Sequence, residues 1–427
     1  MNRASRAGLS VITTQVGPKP ADFADVRTTN LAVVLRYIRG NAPCSRADIA
    51  ASTGLNKATV SSLVAELIER RLVRETGLAE QRIGRPATLL VLDGAPYAAV
   101  GVAVDADHLT VVATDLAGER LLTWRRAFPG ADTSPGKAVA TIAALARRAT
   151  ARLDGEGRQT LGLTIAVPGL IDPTGIVRHA PSLGWRDVDL ADLLQRTMRR
   201  TPFQISVEND ANVAALAEHR YGAHSVANLV HLAGAGRIGA GIVADGRLLR
   251  GGLGFAGELS HIMIDPHGEV CHCGRRGCLE MVAGVPALLR RLSPEEFSQT
   301  PQGAMDLQPE VEDLARRAKA GEPAVVAELE TAGRALGYAV SVLVNLVDPE
   351  VVTLGCHFAT LSEWLLPAAI VELAERTSPG APGGQAAGSP GFRLSASRLG
   401  YDATAIGAAA RVLDTVDSGQ VQTLQAG

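Results

Sequence analysis

The chain has 427 residues, too many for one ordinary domain, and its 46% hydrophobic but only 4% aromatic content predicts aliphatic cores. No run of eighteen apolar residues and no signal-type apolar stretch occurs at the N-terminus, which speaks against a membrane-spanning or exported chain and for a cytoplasmic protein with its five cysteines reduced. The net charge of −2 hides an asymmetry, because residues 27–92 carry +5 and residues 93–427 carry −8. A basic module ahead of an acidic body is the pattern of a nucleic-acid contact.

Residues 1–26 are polar, contain Gly and Pro and show no period, so a flexible arm is expected. From Thr29 to Gly40, Leu31, Val34, Leu35 and Ile38 recur at helical spacing, and Gly40-Asn41 ends the run. Ser45 is a candidate N-cap for R-A-D-I-A-A-S-T, and Gly54 is the turn after it. The next run, A-T-V-S-S-L-V-A-E-L-I-E-R-R, places Val60, Leu63, Val64, Leu67 and Ile68 on one stripe. Helix, glycine turn and helix form a unit whose second helix can lie in a major groove. Lys57, Thr59, Ser61 and Ser62 stand at its leading end and are suited to base edges and phosphates. L-V-R-E-T and A-T-L-L-V-L then read as a hairpin around the basic turn Q-R-I-G-R-P, a wing whose Arg82 and Arg85 are suited to a minor groove or to phosphates. The whole stretch resembles the winged helix-turn-helix of bacterial repressors, with residues 27–93 as its expected extent.

The body, residues 94–427, begins with three short strands, A-A-V-G-V-A-V-D, L-T-V-V-A-T-D and E-R-L-L-T-W. A helix from Pro135 to about Leu153 and the buried strand L-G-L-T-I-A-V-P-G-L-I-D follow. Later, F-Q-I-S-V-E-N-D runs from strand into helix, residues 229–249 give two strands, and E-V-V-T-L-G-C gives another. Val326–Val347 is the longest helix, and residues 299–309 and 378–390 read as surface loops. A meander followed by alternating helix and strand, given twice, predicts an α/β body of two similar lobes around a cleft.

Near the middle, Cys271, Cys273 and Cys278 form a C-x-C-x4-C run, with His261 ten residues upstream. Gly274 and Gly277 allow the backbone to fold back, and three thiolates with one imidazole match the shell of a structural Zn2+. His267 and His272 remain alternatives for the fourth ligand.

The motifs A-V-P-G-L-I-D, A-P-S-L-G-W, V-E-N-D-A-N, I-G-A-G-I-V-A-D-G-R-L-L-R-G, G-E-L-S-H and C-H-C-G-R-R-G-C-L-E occur in one order. Together they resemble the ROK family of repressors and sugar kinases, which share an actin-like (ribonuclease H-like), two-lobed fold with a zinc knuckle. The likeness implies a sugar site of Asn209, Asp210, Glu258, His261 and Glu280, with Asp210 in the place of the kinase general base. It also implies that His261 serves both metal and sugar. Two departures touch specificity: Ser182 stands where the family often has Asn, and Ser260 where it has Gly.

The nucleotide side departs further. The family's D-x-G-G-T reads Asp105-Ala106-Asp107-His108-Leu109, its G-T-G-I-G reads Ala235-Gly236-Arg237-Ile238-Gly239, and a later Gly-Gly reads Gly355-Cys356. Lost glycines deny backbone N–H groups their approach to phosphates, and two carboxylates would repel a triphosphate. The expectation is therefore no ATP, no catalysis, and only a relic general base. The implied role is a sugar-responsive repressor, a homodimer or dimer of dimers on a palindromic operator with half-sites about 34 Å apart. An activator role, or a sugar acting as corepressor, is equally compatible. The rivals are an active sugar kinase with a DNA-binding appendage and a body that binds another protein.

Overall fold

The computed structural model describes residues 23–78, 87–130, 133–199, 201–297, 307–377 and 392–418. The first helix spans Phe23–Asn41, six residues earlier than Thr29, because no glycine or proline after Pro20 interrupts the chain. Its first turns are held by Arg27, which pairs with Glu66 at 2.6 Å. The second helix, Arg46–Thr53, starts in a capping box: Ser45 Oγ accepts from Asp48 N, and Asp48 Oδ2 accepts from Ser45 N. Such a cap contributes about 1 kcal/mol. Gly54, at φ 73°, turns the chain in a left-handed conformation that favours glycine.

The third helix, Lys57–Glu69, is capped by Asn56, whose Oδ1 accepts from Thr59 N at 2.8 Å. Val60, Leu63, Val64 and Leu67 are buried as the stripe requires, and Ile68 lies half-buried at its edge. A three-stranded sheet, in the order Cys44–Ser45, Thr88–Leu92, Val73–Leu78, completes the winged module. Arg82 and Arg85, at the expected wing tip, lie outside the described residues.

The body holds two five-stranded sheets of the same topology. In the first, Arg120–Ala127, His108–Thr114 and Tyr97–Val104 form an antiparallel meander, and Gln159–Val167 and Gln204–Asn209 join in parallel. In the second, Arg247–Leu248, Ile238–Ala244 and Leu229–Gly234 form the meander, and Val351–Cys356 and Arg393–Ala396 add in parallel. The expected two strands in residues 229–249 are thus three. The long strand expected through A-V-P-G-L-I-D ends at Val167. Leu170–Ile171 instead opens a small antiparallel ribbon with Val177–Ala180 and Trp185–Val188. Helix Pro135–Gly155 matches its expected span to within two residues, and Pro323–Val347 is the longest helix among the described residues. Of the expected loops, residues 299–306 and 378–390 lie outside the described residues, whereas Gln308 already begins a helix.

Two helices lie between the sheets. Asp210–Tyr221 packs on the second sheet, Ala403–Asp417 packs on the first, and each packs on the other. Glycines remove the side chains that would part them. A Cβ on Gly101 would overlap the Ala405 carbonyl oxygen, one on Gly407 the Val213 carbonyl oxygen, and one on Gly241 the Ala211 carbonyl oxygen. The winged module is not strung on a linker. Its apolar core of Leu35, Ile38, Leu67 and Leu90 is continuous with Tyr97, Leu161, Leu413 and Val416 of the body. Tyr97 adds a hydrogen bond from its hydroxyl to the Arg70 carbonyl oxygen at 2.7 Å. No helix among the described residues is long and apolar enough to cross a membrane.

Candidate functional site

On the third helix, Lys57, Ser61 and Ser62 are exposed at the leading end, while Thr59 is half-buried beside the Asn56 cap. Positions 57 and 61 are one turn apart, so they share a face. Glu66, two turns along, is engaged by Arg27 and Arg70 and so offers less repulsion to a polyanion.

Asp210 opens the helix that separates the lobes. The strand Gln204–Asn209 delivers it there, and Asn209 caps the helix, with Oδ1 accepting from Asn212 N at 2.9 Å and Nδ2 donating to the Gly169 carbonyl oxygen at 3.0 Å. One residue earlier, buried Glu208 accepts from Arg250 and Arg411, fixing the strand end to both lobes. Burial would raise Glu208, but the two guanidinium groups outweigh it and hold the carboxyl below its ordinary range.

A cavity of about 100 Å³ lies in front of Asp210, walled by Asp105, Arg125, Ser182, Arg237 and Tyr401 among others. Ser182 Oγ is buried there without a hydrogen-bond partner among the described residues. Of the five residues expected around a sugar, Asp210 lines this cavity directly. The other four are not among the residues that line it. Asn209 caps the helix, and exposed Glu258 is within electrostatic reach of Asp210. Glu280 is buried and accepts from Ile238 N at 2.9 Å, so it holds the strand that follows Arg237. His261 Nε2 lies 3.3 Å from Arg237 Nη2.

Arg237 is the residue whose role the sequence did not reveal. Its charge acts on Asp210, Glu258 and Glu280 at once, in each case favouring the carboxylate. Arg237 follows Gly236 at the cavity wall, in the stretch that the resemblance aligns with the family's glycine loop. The acidic pair on the other wall also differs from expectation. Asp105 and Asp107 are not two bare charges, because His108 sits between them, Nδ1 2.6 Å from Asp107 and Nε2 3.2 Å from Asp105. Burial alone would lower His108, but these carboxylates outweigh it and hold the imidazole above its ordinary range. Arg237, His108, Asp105 and Asp107 all line the cavity.

Burial pushes the carboxyl of Asp210 up to about 7, with Asp105 and Glu258 adding to the rise and Arg237 opposing it. Glu280 is likewise pushed up to about 7 by burial. A carboxyl near 7 can accept or donate a hydrogen bond to a hydroxyl. The folded protein holds these two protons more tightly than the unfolded chain. Their stabilisation is therefore complete below the unfolded values near 4 and is lost as pH rises through about 7. Between about pH 5 and about pH 8 the unliganded protein is expected to lose a few kcal/mol of stability from this source. Asp210→Asn is expected to flatten that slope in thermal melts, and an unchanged slope would contradict the assignment.

Beyond His261 the chain folds into the cysteine knuckle. The donor atoms of His261, Cys271, Cys273 and Cys278 all lie within 4.8 Å of one another. Cys273 Sγ is 3.6 Å from Cys278 Sγ, and His261 Nδ1 is 3.7 Å from Cys271 Sγ. Tetrahedral zinc with Zn–S of 2.3 Å places its ligands about 3.5–3.8 Å apart, so the four atoms fit such an ion. His267 is exposed on the turn nearby. His272 lies against Cys271 but outside the group of four. Gly274 and Gly277, both at positive φ, make the fold-back, and a Cβ on Gly277 would overlap the Asp265 carbonyl oxygen. His261 thus turns one ring nitrogen to the knuckle and the other to Arg237 and the cleft.

The ROK family model matches residues 99–415 and a MarR family model matches residues 32–82. The xylose repressor of Bacillus subtilis (strain 168) is 30% identical over 395 residues, covering 92% of this chain and 97% of that repressor. The DNA-binding transcriptional dual regulator NagC of Escherichia coli (strain K12) is 29% identical over 353 residues, 80% of this chain and 84% of that one. Among solved structures, a ROK family transcriptional regulator described as a homolog of the E. coli MLC protein superposes with a TM-score of 0.77 at 27% identity, over 92% of this chain and 98% of that one. A ROK family glucokinase from Streptomyces griseus, in complex with glucose and AMPPNP, superposes with a TM-score of 0.59 at 26% identity, over 74% of this chain and 98% of that one.

Proposed function

The chain belongs to the ROK family, with a MarR-type winged helix ahead of the family body, and we propose that it is a sugar-responsive DNA-binding transcriptional repressor. The observation that carries this reading is that one continuous apolar core joins a partly exposed recognition helix to a two-lobed body whose cleft is lined in part by charged side chains. Similarity over 97% of a xylose repressor supports the same reading. Asn209, Asp210, Glu258, His261 and Glu280 are the groups proposed to surround the sugar, with Asp210 a relic of a general base. Lys57, Thr59, Ser61 and Ser62 are proposed to meet DNA. His261, Cys271, Cys273 and Cys278 would hold zinc, which supplies a fixed anchor for the loop carrying His261 rather than any chemistry.

The operator is proposed to be palindromic and the protein a homodimer or dimer of dimers, since one recognition helix reads only a few base pairs. Loss of kinase activity belongs to the same proposal. It is supported by Arg237 in the cleft and by the names of the relatives, a xylose repressor and a transcriptional dual regulator. The kinase reading is supported by the resemblance of the body to ROK sugar kinases, a glucokinase and a hexokinase among them.

The test is a thermal-shift panel of D-xylose, D-glucose and N-acetyl-D-glucosamine. It is followed by anisotropy on DNA selected by the protein from genomic fragments. The best sugar is expected to weaken operator binding; a thousandfold loss corresponds to about 4 kcal/mol of differential binding. A sugar that binds yet leaves operator affinity unchanged would refute the proposal. In the same assay, Arg82→Ala with Arg85→Ala is expected to reduce the slope of log affinity against log salt by about 2, one unit for each phosphate the wing no longer neutralises. An unaltered slope would remove the wing from the interface.

A further inference from the structure

The helix that starts at Asp210 runs about 15 Å before it reaches Arg220 in its last turn. There, Arg220 Nη2 pairs with Asp414 and lies 3.0 Å from Asp417 Oδ2, both on the C-terminal helix. The other oxygen of Asp417, Oδ1, accepts from Arg39 Nη2 at 2.9 Å and from Arg39 Nε at 3.1 Å. Arg39 belongs to the first helix of the winged module and also donates to the Leu116 carbonyl oxygen. One carboxylate therefore gives one oxygen to the cleft helix and the other to the DNA-binding module.

This cluster is not a surface ornament. Asp417 is 5% exposed, and the side chains of Arg39 and Arg220 are 16% and 14% exposed. Leu35, Ile38, Leu413 and Val416 belong to the apolar core shared across the same junction. Water and salt screen such pairs poorly, and pulling one partner away leaves a desolvated charge behind. The backbones leave little room for slip, because Gly407 brings the C-terminal helix directly onto the Val213 carbonyl oxygen. At the other end Arg411 ties the C-terminal helix to Glu208, two residues before Asp210. A displacement of the cleft helix must carry the winged module with it or break the shared carboxylate.

We propose that Asp417, held between Arg220 and Arg39, is the positioning residue that transmits effector binding in the cleft to the DNA-binding module. This rests on the reading of the protein as an effector-responsive repressor. It adds to that reading a defined two-sided link whose removal uncouples the sites without touching either ligand.

The test uses full-length wild type, Asp417→Asn, Arg39→Met and Asp417→Glu. The probes are the sugar that shifts the melt most among D-xylose, D-glucose and N-acetyl-D-glucosamine, and the DNA fragment the protein selects. For each variant, sugar affinity is measured by calorimetry, and operator affinity by anisotropy without sugar and with saturating sugar. Asp417→Asn and Arg39→Met are expected to keep sugar affinity while the ratio of the two operator affinities falls by about tenfold or more. Asp417→Glu, which keeps the charge, is expected to restore most of the ratio. Arg39→Met leaves the Asp417–Arg220 pair in place and carries the test if Asp417→Asn fails to fold. A responsive wild type beside an unchanged ratio in Arg39→Met overturns the relay alone. A wild type that binds sugar but shows no ratio refutes the repressor reading and the relay together.

Discussion

Cys273→Ser is expected to strip the knuckle of its metal and to lower the melting temperature further than Gly407→Val or Asp210→Asn. Three thiolates and one imidazole converge with spacings suited to tetrahedral zinc. Zinc-finger peptides draw roughly 10–16 kcal/mol of apparent binding energy from such a site at neutral pH. A typical domain is stable by only about 5–15 kcal/mol, so losing even part of that contribution is felt by the whole body. The damage should begin locally, because Leu279 N donates to the Ile262 carbonyl oxygen and Ile264 N to that of Gly277, and the knuckle orders both segments. His261 should also come away from Arg237, coupling the metal to the cleft. The measurement is metal content by atomic emission together with thermal melts before and after chelation. One zinc per chain in wild type and a large fall in the variant are expected. A variant as stable as wild type, with no metal in either, would dismiss the site.

Gly407→Val is expected to be nearly as disruptive, for a reason of packing alone. Even a single Cβ at this position would overlap the Val213 carbonyl oxygen, and valine adds two methyl groups at a crossing of two backbones. Overpacking typically costs about 1–3 kcal/mol when side chains can yield, and here the obstacle is main chain, so the cost should reach or exceed the top of that range. The helices Asp210–Tyr221 and Ala403–Asp417 would be forced apart between the sheets, which moves Asp210 and the Arg220–Asp417 pair together. Urea denaturation should show a lower midpoint. An unchanged midpoint would mean that the helices do not cross as closely as described.

Much of this organisation can be read in the residues themselves. The capping box follows from Ser45 and Asp48 at the right spacing, and the buried stripe of the third helix from Val60, Leu63, Val64 and Leu67. Local chemistry decides such features, so local sequence reveals them. The twofold repetition of a meander followed by parallel strands is likewise visible, since each strand is a short apolar run bounded by turn residues. The cysteine spacing by itself announces the knuckle.

What stays hidden is what depends on residues far apart in the chain. Nothing about positions 39, 220 and 417 suggests that they share one cluster. Gly407 looks like a weak point in an alanine-rich helix until Val213 is seen against it. Arg237 reads as a lost glycine, whereas its side chain reaches to within 3.3 Å of His261. Asp107 reads as an added repulsive charge, whereas its carboxylate lies 2.6 Å from His108 Nδ1. The ribbon from Leu170 to Val188 leaves no trace in the hydrophobic pattern because its strands are two to four residues long, too short for any alternation to register.

The proposal that the cleft recognises a carbohydrate without phosphorylating it is tested most directly on one purified sample. Sugar binding is measured by calorimetry, and sugar phosphate is measured by mass spectrometry after incubation with the same sugar and magnesium ATP. Saturable sugar binding with no sugar phosphate above a protein-free control is the predicted result. Sugar phosphate accumulating over many turnovers would contradict it.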